Sequence, residues 1–328
     1  MQRSQPIWKA GMRLAAALAL SSSCAVWAQD SYPAQRVEVV VPWTAGQATD
    51  IAARTMSEFL SKKLGQTFFI TNKAGAGGAV GSTQVARAKP DGYTLLAAST
   101  GSVIASPLLT ETSYTASDFV PAAMIAKSPA ILITAADFPA KNIDELIKLL
   151  QDNPGKYTFA SSGTGSASHL MGEAFNLGYD IKATHVPYKG SAAALTDVLA
   201  GRVAYMFDTV ASVTSQLKAG KITAYDISSS ERSASVPDIH SIAEVTKLKD
   251  FDLASWIGLM APKGTSAKDM AVLEAAALEH LKSPEAKAKY QSLGLTITPM
   301  SNAEFQKAVD KEEAVYVDLL QKLGLGKK

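Results

Sequence analysis

The chain has one cysteine, Cys24, and because it falls within the first 28 residues, the rest of the sequence can build neither an internal disulfide nor a thiolate metal site. An excess of charge of one sign is missing as well. Basic residues number 32 and acidic residues 30, for a formal net charge of +2, and no Lys/Arg run gathers the positive charge into a patch. Binding to nucleic acid needs such a patch, so that class of partner is excluded. No apolar stretch approaches the roughly eighteen uninterrupted residues of a membrane-spanning helix. Familiar enzyme signatures are also absent: there is no G-x-S-x-G elbow, no HExxH spacing among His169, His185, His240 and His280, and no P-loop GK[ST]. Sequence order leaves one enzyme alternative open, a Ser/His/Asp set assembled in space from Ser161, His169 and Asp208.

What is present begins with a secretory signature. Arg3, Lys9 and Arg13 make a basic start, Leu14 to Leu20 an apolar centre too short to span a bilayer, and Val26-Trp27-Ala28 an exit ending in a small residue. Cleavage after Ala28 is expected, which exports the mature protein from the cytoplasm. Leu20-Ser21-Ser22-Ser23-Cys24 offers the alternative of a lipid anchor on Cys24. Without Arg3, Lys9 and Arg13, 29 basic residues face 30 acidic ones. The 328 residues less these 28 leave 300, more than one compact core usually holds, and 47% hydrophobic content supplies two.

Strand and helix patterns alternate along the remainder. Val37 to Val41 is a continuous β-branched run, as in a strand covered on both faces. Ile51 to Leu64 carries Ile51, Thr55, Phe59 and Leu60 at helical spacing and closes at Gly65. Further strands are predicted at Phe68 to Thr71, Tyr93 to Ala98, Ala130 to Thr134, Tyr157 to Ala160, His185 to Val186, Val203 to Phe207 and Ile222 to Ile227, and Ser255 to Met260 with Pro262-Lys263-Gly264-Thr265 introduces the last two helices. Helices are predicted at Ser82 to Ala88, Asn142 to Gln151, Ser166 to Leu177, Ser191 to Ala200, Ala267 to Leu281 and Asn302 to Leu323. Such alternation specifies an α/β architecture with mainly parallel sheets. No repeat or linker separates the two series, so the chain is expected to cross between lobes more than once, near Lys127 and Ser229. That gives a signal peptide over 1–28, a first lobe from 29–127 and 229–328, and a second lobe from 128–228.

Two strand-to-helix turns stand out. In Glu38 to Arg54, Pro42 ends a strand, Gly46 frees the backbone, and Thr49 or Asp50 can cap the following helix. A turn of this kind aims unpaired backbone amides outward, and a small anion is what they hold best; an ordinary strand-to-helix connection is the plainer alternative. Asp50 reads as organising the loop, because a capping carboxylate takes amides that an anion would need. Trp43 can cover an apolar ligand face or pack in the core. In the second turn, Ser161-Ser162-Gly163-Thr164-Gly165-Ser166, hydroxyls and permissive glycines precede a helix, a composition suited to a carboxylate or a phosphate. His169, one turn into that helix, reads as orienting the loop rather than as a base. Asn72 to Gly78 superficially matches a dinucleotide fingerprint, but Val80 stands where the third glycine belongs and Asp91 falls in a turn. Gly75, Gly77 and Gly78 therefore read as a tight turn, and the sequence implies no cofactor and no metal.

Taken in order and spacing, PWTAGQATD, NKAGAGG, PDGYTLL, SSGTGSASHLMGE, VPYKGS and WIGLMAPKGT resemble the Bug family of periplasmic solute receptors, which serve tripartite tricarboxylate transporters. The resemblance covers nearly the whole chain after residue 28. It implies a monomeric, two-lobed binding protein of the periplasmic type II kind that closes on a small organic acid and presents it to membrane permease subunits. The residues it implies for the ligand are Trp43, Thr44, Ala45, Gly46, Gln47, Ala48 and Thr49 on one side, and Ser161, Ser162, Gly163, Thr164, Gly165 and Ser166 on the other, with His169 behind. Tyr188, in Tyr188-Lys189-Gly190-Ser191, matches a further cleft segment. Asp208 matches an acidic strand-end position that can meet a ligand amine or hydroxyl, or else cap a helix. Family members commonly carry Pro-Gly-Gly, or nearly so, where this chain has Ala45-Gly46-Gln47, so Gln47 is expected to shrink the pocket or to add an amide contact. A receptor that reports to a membrane signalling protein is the alternative to transport.

Overall fold

The computed structural model describes residues 32–248 and 252–325. The expected signal segment, its cleavage after Ala28 and the question of Cys24 lie outside the described residues. In chain order the strands are β1 (Val37–Val41), β2 (Phe68–Asn72), β3 (Thr94–Ser99), β4 (Phe119–Ser128), β5 (Ala130–Ala135), β6 (Thr158–Ser161), β7 (Thr184–Pro187), β8 (Tyr205–Thr209), β9 (Ile222–Ile227), β10 (His240–Ser241), β11 (Ser255–Pro262) and β12 (Thr296–Met300). They form two six-stranded sheets, ordered β12-β4-β11-β3-β1-β2 and β10-β9-β5-β8-β6-β7.

The β-branched run Val37–Val41 lies in the first sheet, flanked in parallel by β2 and β3. Its four valines are fully buried, as apolar β-branched side chains require, and Glu38 is the one residue left partly exposed. The helix Ala48–Leu64 then covers one face with Ala52, Ala53, Met56 and Leu60, and Gly65 ends it in the left-handed conformation, donating to the Ser61 carbonyl. In the second sheet the helices Ile143–Asp152, Ala167–Tyr179 and Ser191–Leu199 do the same work, with Asn142 and Ser166 capping the first two through their side chains.

Three expectations change at this level. The first helix starts at Ala48 and not at Ile51, because Gln47 and not Thr49 or Asp50 takes the extended N-cap conformation. Both sheets are mixed: β11 pairs antiparallel with β3 and β4, and β5 antiparallel with β8 and β9. A strand that arrives from the other sheet enters against the local direction, which local periodicity cannot reveal. The second crossing also comes later than Ser229, since His240 and Ser241 still pair with Asp226 and Ile227, and the first sheet resumes at Ser255. The first crossing falls between Ser128 of β4 and Ala130 of β5.

Strand β4 escapes the sequence reading altogether. Pro121 interrupts its pattern, and the structure places that proline beside a register shift in the β4–β11 pairing, where a missing N–H is tolerated. Strand β12 and the helices Val210–Lys218 and Pro284–Ser292 are likewise additions. The largest apolar cluster joins Val40 and Leu96 of the first sheet to Phe159 and Tyr205 of the second and to Phe175 of the helix Ala167–Tyr179. Phe305, Val309, Tyr316 and Leu320 of the C-terminal helix Asn302–Leu323 belong to it, so that helix straps the two sheets together.

Candidate functional site

The first turn is built around Asp50. Its carboxylate accepts from the Gly46 amide at 2.9 Å, from Asn72 Nδ2 at 2.9 Å and from Arg54 Nε at 3.0 Å. Burial pushes this carboxyl upward, but the bonds from Arg54, Gly46 and Asn72 outweigh burial and hold it below the usual carboxylate range. Gly46 accommodates the turn at a φ of 86°. With the loop tied down in this way, Gln47 precedes the helix without capping it through its side chain, which leaves the first helical amides, at Ala48 and Thr49, facing the space beyond. Trp43 is buried alongside and donates from Nε1 to Ser99 Oγ at 3.1 Å.

The second turn is organised by its own hydroxyls. Ser161 Oγ accepts from the Gly163 amide at 3.1 Å and lies 2.7 Å from His185 Nε2. Ser168 Oγ accepts from the Ser162 amide at 3.1 Å, and Ser166 Oγ accepts from the His169 amide at 3.3 Å. His169 is buried, accepts at Nδ1 from the Gly165 amide and stacks on His185 with ring centroids 3.9 Å apart. Burial, reinforced by the neighbouring His169, lowers the His185 pKa to about 4, so this ring is neutral near pH 7. Asp208 takes its bonds from Ser191 Oγ and from the Thr209 amide, not from either histidine. The Ser161, His169 and Asp208 alternative therefore lacks the base-to-carboxylate bond that a catalytic triad requires.

Between the sheets lies a cavity with about 60 Å³ open to the centre of a water molecule. Four helix beginnings meet there: Ala48 and Thr49, Ala167 and Ser168, Ser191, and Thr209 with Ser212 all contribute lining. Each terminus presents the positive end of a helix dipole and backbone donors, so their convergence favours an anion. Ser99 and Gly101 form part of the floor, and Ser128 and Ser255, at the crossings between sheets, complete it. Ser128 Oγ is buried and has no partner. Among the described residues, Asp208 is the one ionisable side chain on this lining; burial raises its pKa to about 6 against the opposing bonds from Ser191 and Thr209. Among the described residues, no group of three or more His, Cys, Asp or Glu side chains is arranged to hold a metal.

A second cavity of about 310 Å³ adjoins the first and shares Trp43 and Ser162 with it. The residues singled out in the sequence divide between the two. Trp43, Gln47, Ala48, Thr49, Ser162 and Asp208 line the inner cavity, while Gly75, Gly77, Gly78, Gly163, Thr164 and Tyr188 line the outer one. Thr44 lies against Gly190, Ala45 and Gly46 are exposed outside both linings, and Ser161, Gly165, Ser166 and His169 are buried behind the loop. Tyr188 donates to Asp197 at 2.7 Å. Ser99, Ser128, Phe207, Ser212 and Ser255 are additions that no sequence motif marks, and Met171 and Ser191 fall within two of the motifs without having been singled out. Ser191 and Ser212 follow the rule that helix beginnings gather here; Ser128 and Ser255 needed the strand pairing that sets them side by side.

A family profile described as "Tripartite tricarboxylate transporter family receptor" matches residues 52–325. The solved periplasmic binding protein BugD is 34% identical with a TM-score of 0.84, over 90% of this chain and 100% of that one. An R. palustris protein solved with adipate is 30% identical with a TM-score of 0.86, over 90% and 99% of the two chains. MatC from Rhodopseudomonas palustris with bound malate is 31% identical with a TM-score of 0.82, over 88% and 100%.

Proposed function

Since the chain belongs to the tripartite tricarboxylate transporter family of periplasmic receptors, which bind solutes and are not enzymes, we propose that it captures a small organic acid between its lobes and delivers it to membrane permease subunits. The observation that carries the ligand class is the meeting of four helix beginnings on one cavity, which offers an anion more donors than any single turn could. Relatives solved with adipate and with malate support a carboxylate. The residues we assign to the ligand are Trp43, Gln47, Ala48, Thr49, Ser162 and Asp208 from the sequence reading, joined by Ser128, Ser168 and Ser191. Ser161, Ser166, His169 and Asp50 act behind them by fixing the loops. The first lobe takes in β1 to β4 with β11 and β12, and the second takes in β5 to β10.

Capture follows from hinge closure about the two crossings. Contacts made from both lobes to one ligand exist only in the closed state, so the ligand stabilises that state by the difference. Each charge-assisted hydrogen bond contributes roughly 1.5–3 kcal/mol, against ~0.3–1 kcal/mol from each helix dipole at an exposed terminus. Hydrogen bonds and exclusion of water therefore dominate affinity.

A thermal-shift panel of dicarboxylates, hydroxy acids, amino acids and aromatic acids tests the ligand class. A true ligand at a hundredfold over its dissociation constant adds about 2.7 kcal/mol to stability and is recovered unchanged by mass spectrometry. A panel in which no acid raises the melting temperature refutes the reading. For delivery, cross-linking in membranes should recover permease subunits; recovery of a sensor ectodomain instead would assign the receptor to signalling.

A further inference from the structure

The two cavities between the lobes adjoin at Trp43 and Ser162, which line both, and at the segment 189–191. Ser191 lines the inner cavity and Lys189 the outer, so Gly190 stands at the boundary. From the opposite lobe Thr44 and Gln47 press against that glycine: a Cβ at position 190 would lie 2.7 Å from Thr44 Oγ1 and 3.4 Å from Gln47 Nε2. Both of those polar atoms are buried without a hydrogen-bond partner, and Gln47 also lines the inner cavity. Its side chain makes no capping bond to the helix it precedes, so local structure does not account for its position.

Building on the carboxylate reading above, we propose that Gln47 sets the length of acid the receptor accepts, by walling the inner cavity off from the outer one when the lobes meet. About 60 Å³ of water-centre space corresponds to roughly four to six water positions, which suits an acid of malate's length better than one of adipate's. A longer chain must either push Gln47 away from Gly190 or leave its far carboxylate against the buried wall. Gln47 Nε2 then has a role beyond its bulk, as a donor to an oxygen at the outer end of a short ligand. Removing the side chain joins the inner space to the outer cavity of about 310 Å³, where Lys189 is the cation available to a distal carboxylate.

Calorimetry with malate and with adipate on the wild type, Gln47→Gly and Gln47→Ala tests this. The wild type should bind malate at least about tenfold more tightly than adipate, the scale on which a pocket discriminates added methylenes. Both variants should shrink that ratio by about tenfold or more, chiefly by tightening adipate. Glycine is well tolerated at an N-cap, so the Gly variant keeps the helix start, and agreement between the two variants separates pocket size from backbone freedom. An unchanged ratio in variants that still bind malate overturns the inference alone, as does a wild type that prefers adipate. A wild type that binds neither acid but is stabilised by another acid of the thermal-shift panel overturns the inference alone, whereas one that no acid of the panel stabilises overturns the carboxylate reading and the inference with it.

Discussion

At the scale of single residues, Asp208 is the least expected occupant of an anion-binding cavity. Burial raises its pKa to about 6, so it is mostly neutral in mildly acidic solution and mostly charged above neutrality. Because the folded pKa lies above the unfolded value near 3.8, its contribution to stability is fully present below that value and is lost as pH rises through about 6. Ligand binding follows the same direction, since an acid entering beside a charged carboxylate meets repulsion that it avoids beside a neutral one. Malate affinity should therefore fall as pH rises from 5.5 to 7.5, with a slope approaching tenfold per unit only above pH 6, and Asp208→Asn should flatten the profile. Titrations by calorimetry across that range check this. A slope of the opposite sign would mean that the ligand donates to a charged Asp208.

At the scale of elements, local patterns were legible where one face or one run decided the outcome. Val37–Val41 declares its strand by β-branching, and Gly65 declares the helix end. The serine/glycine loop was legible as a helix beginning, though not as a largely buried one: Gly165 is buried at a φ of 83°, with Ser106 packed over it. What stayed hidden depends on partners distant in sequence. Ser128 and Ser255 become a floor only when β4 and β11 pair them, and β4 itself was obscured by a proline that is harmless at a bulge. Within the loop, Ser166 is the structural centre, since its hydroxyl caps the helix Ala167–Tyr179 and lies 3.0 Å from Ser168 Oγ. Ser166→Ala should cost about 1 kcal/mol as a lost N-cap, lowering the melting temperature by about 2 °C in a chain of this size. It should also weaken acid binding measurably, because Ser168 in the cavity wall loses its neighbour; an unchanged melting temperature would remove Ser166 from that role.

At the scale of the whole molecule, the two lobes touch backbone to backbone, and glycine permits it. A Cβ on Gly77 would overlap the carbonyl oxygen of Thr164, and one on Gly163 would come within 3.3 Å of the Gly77 amide nitrogen. Gly77, Gly163 and Thr164 all line the outer cavity. Gly77 also has a φ of 62°, so alanine there carries a local conformational cost of roughly 1–2 kcal/mol in any state. Closure adds a second cost that exists only when the lobes meet. Gly77→Ala should thus lower the melting temperature of the ligand-free protein modestly, yet weaken acid binding by tenfold or more, mainly through faster dissociation. Stopped-flow dissociation and small-angle scattering at saturating ligand separate the two effects. The wild type should become more compact on binding and the variant should not; equal compaction and equal dissociation rates would show that the Gly77–Thr164 contact is no part of closure.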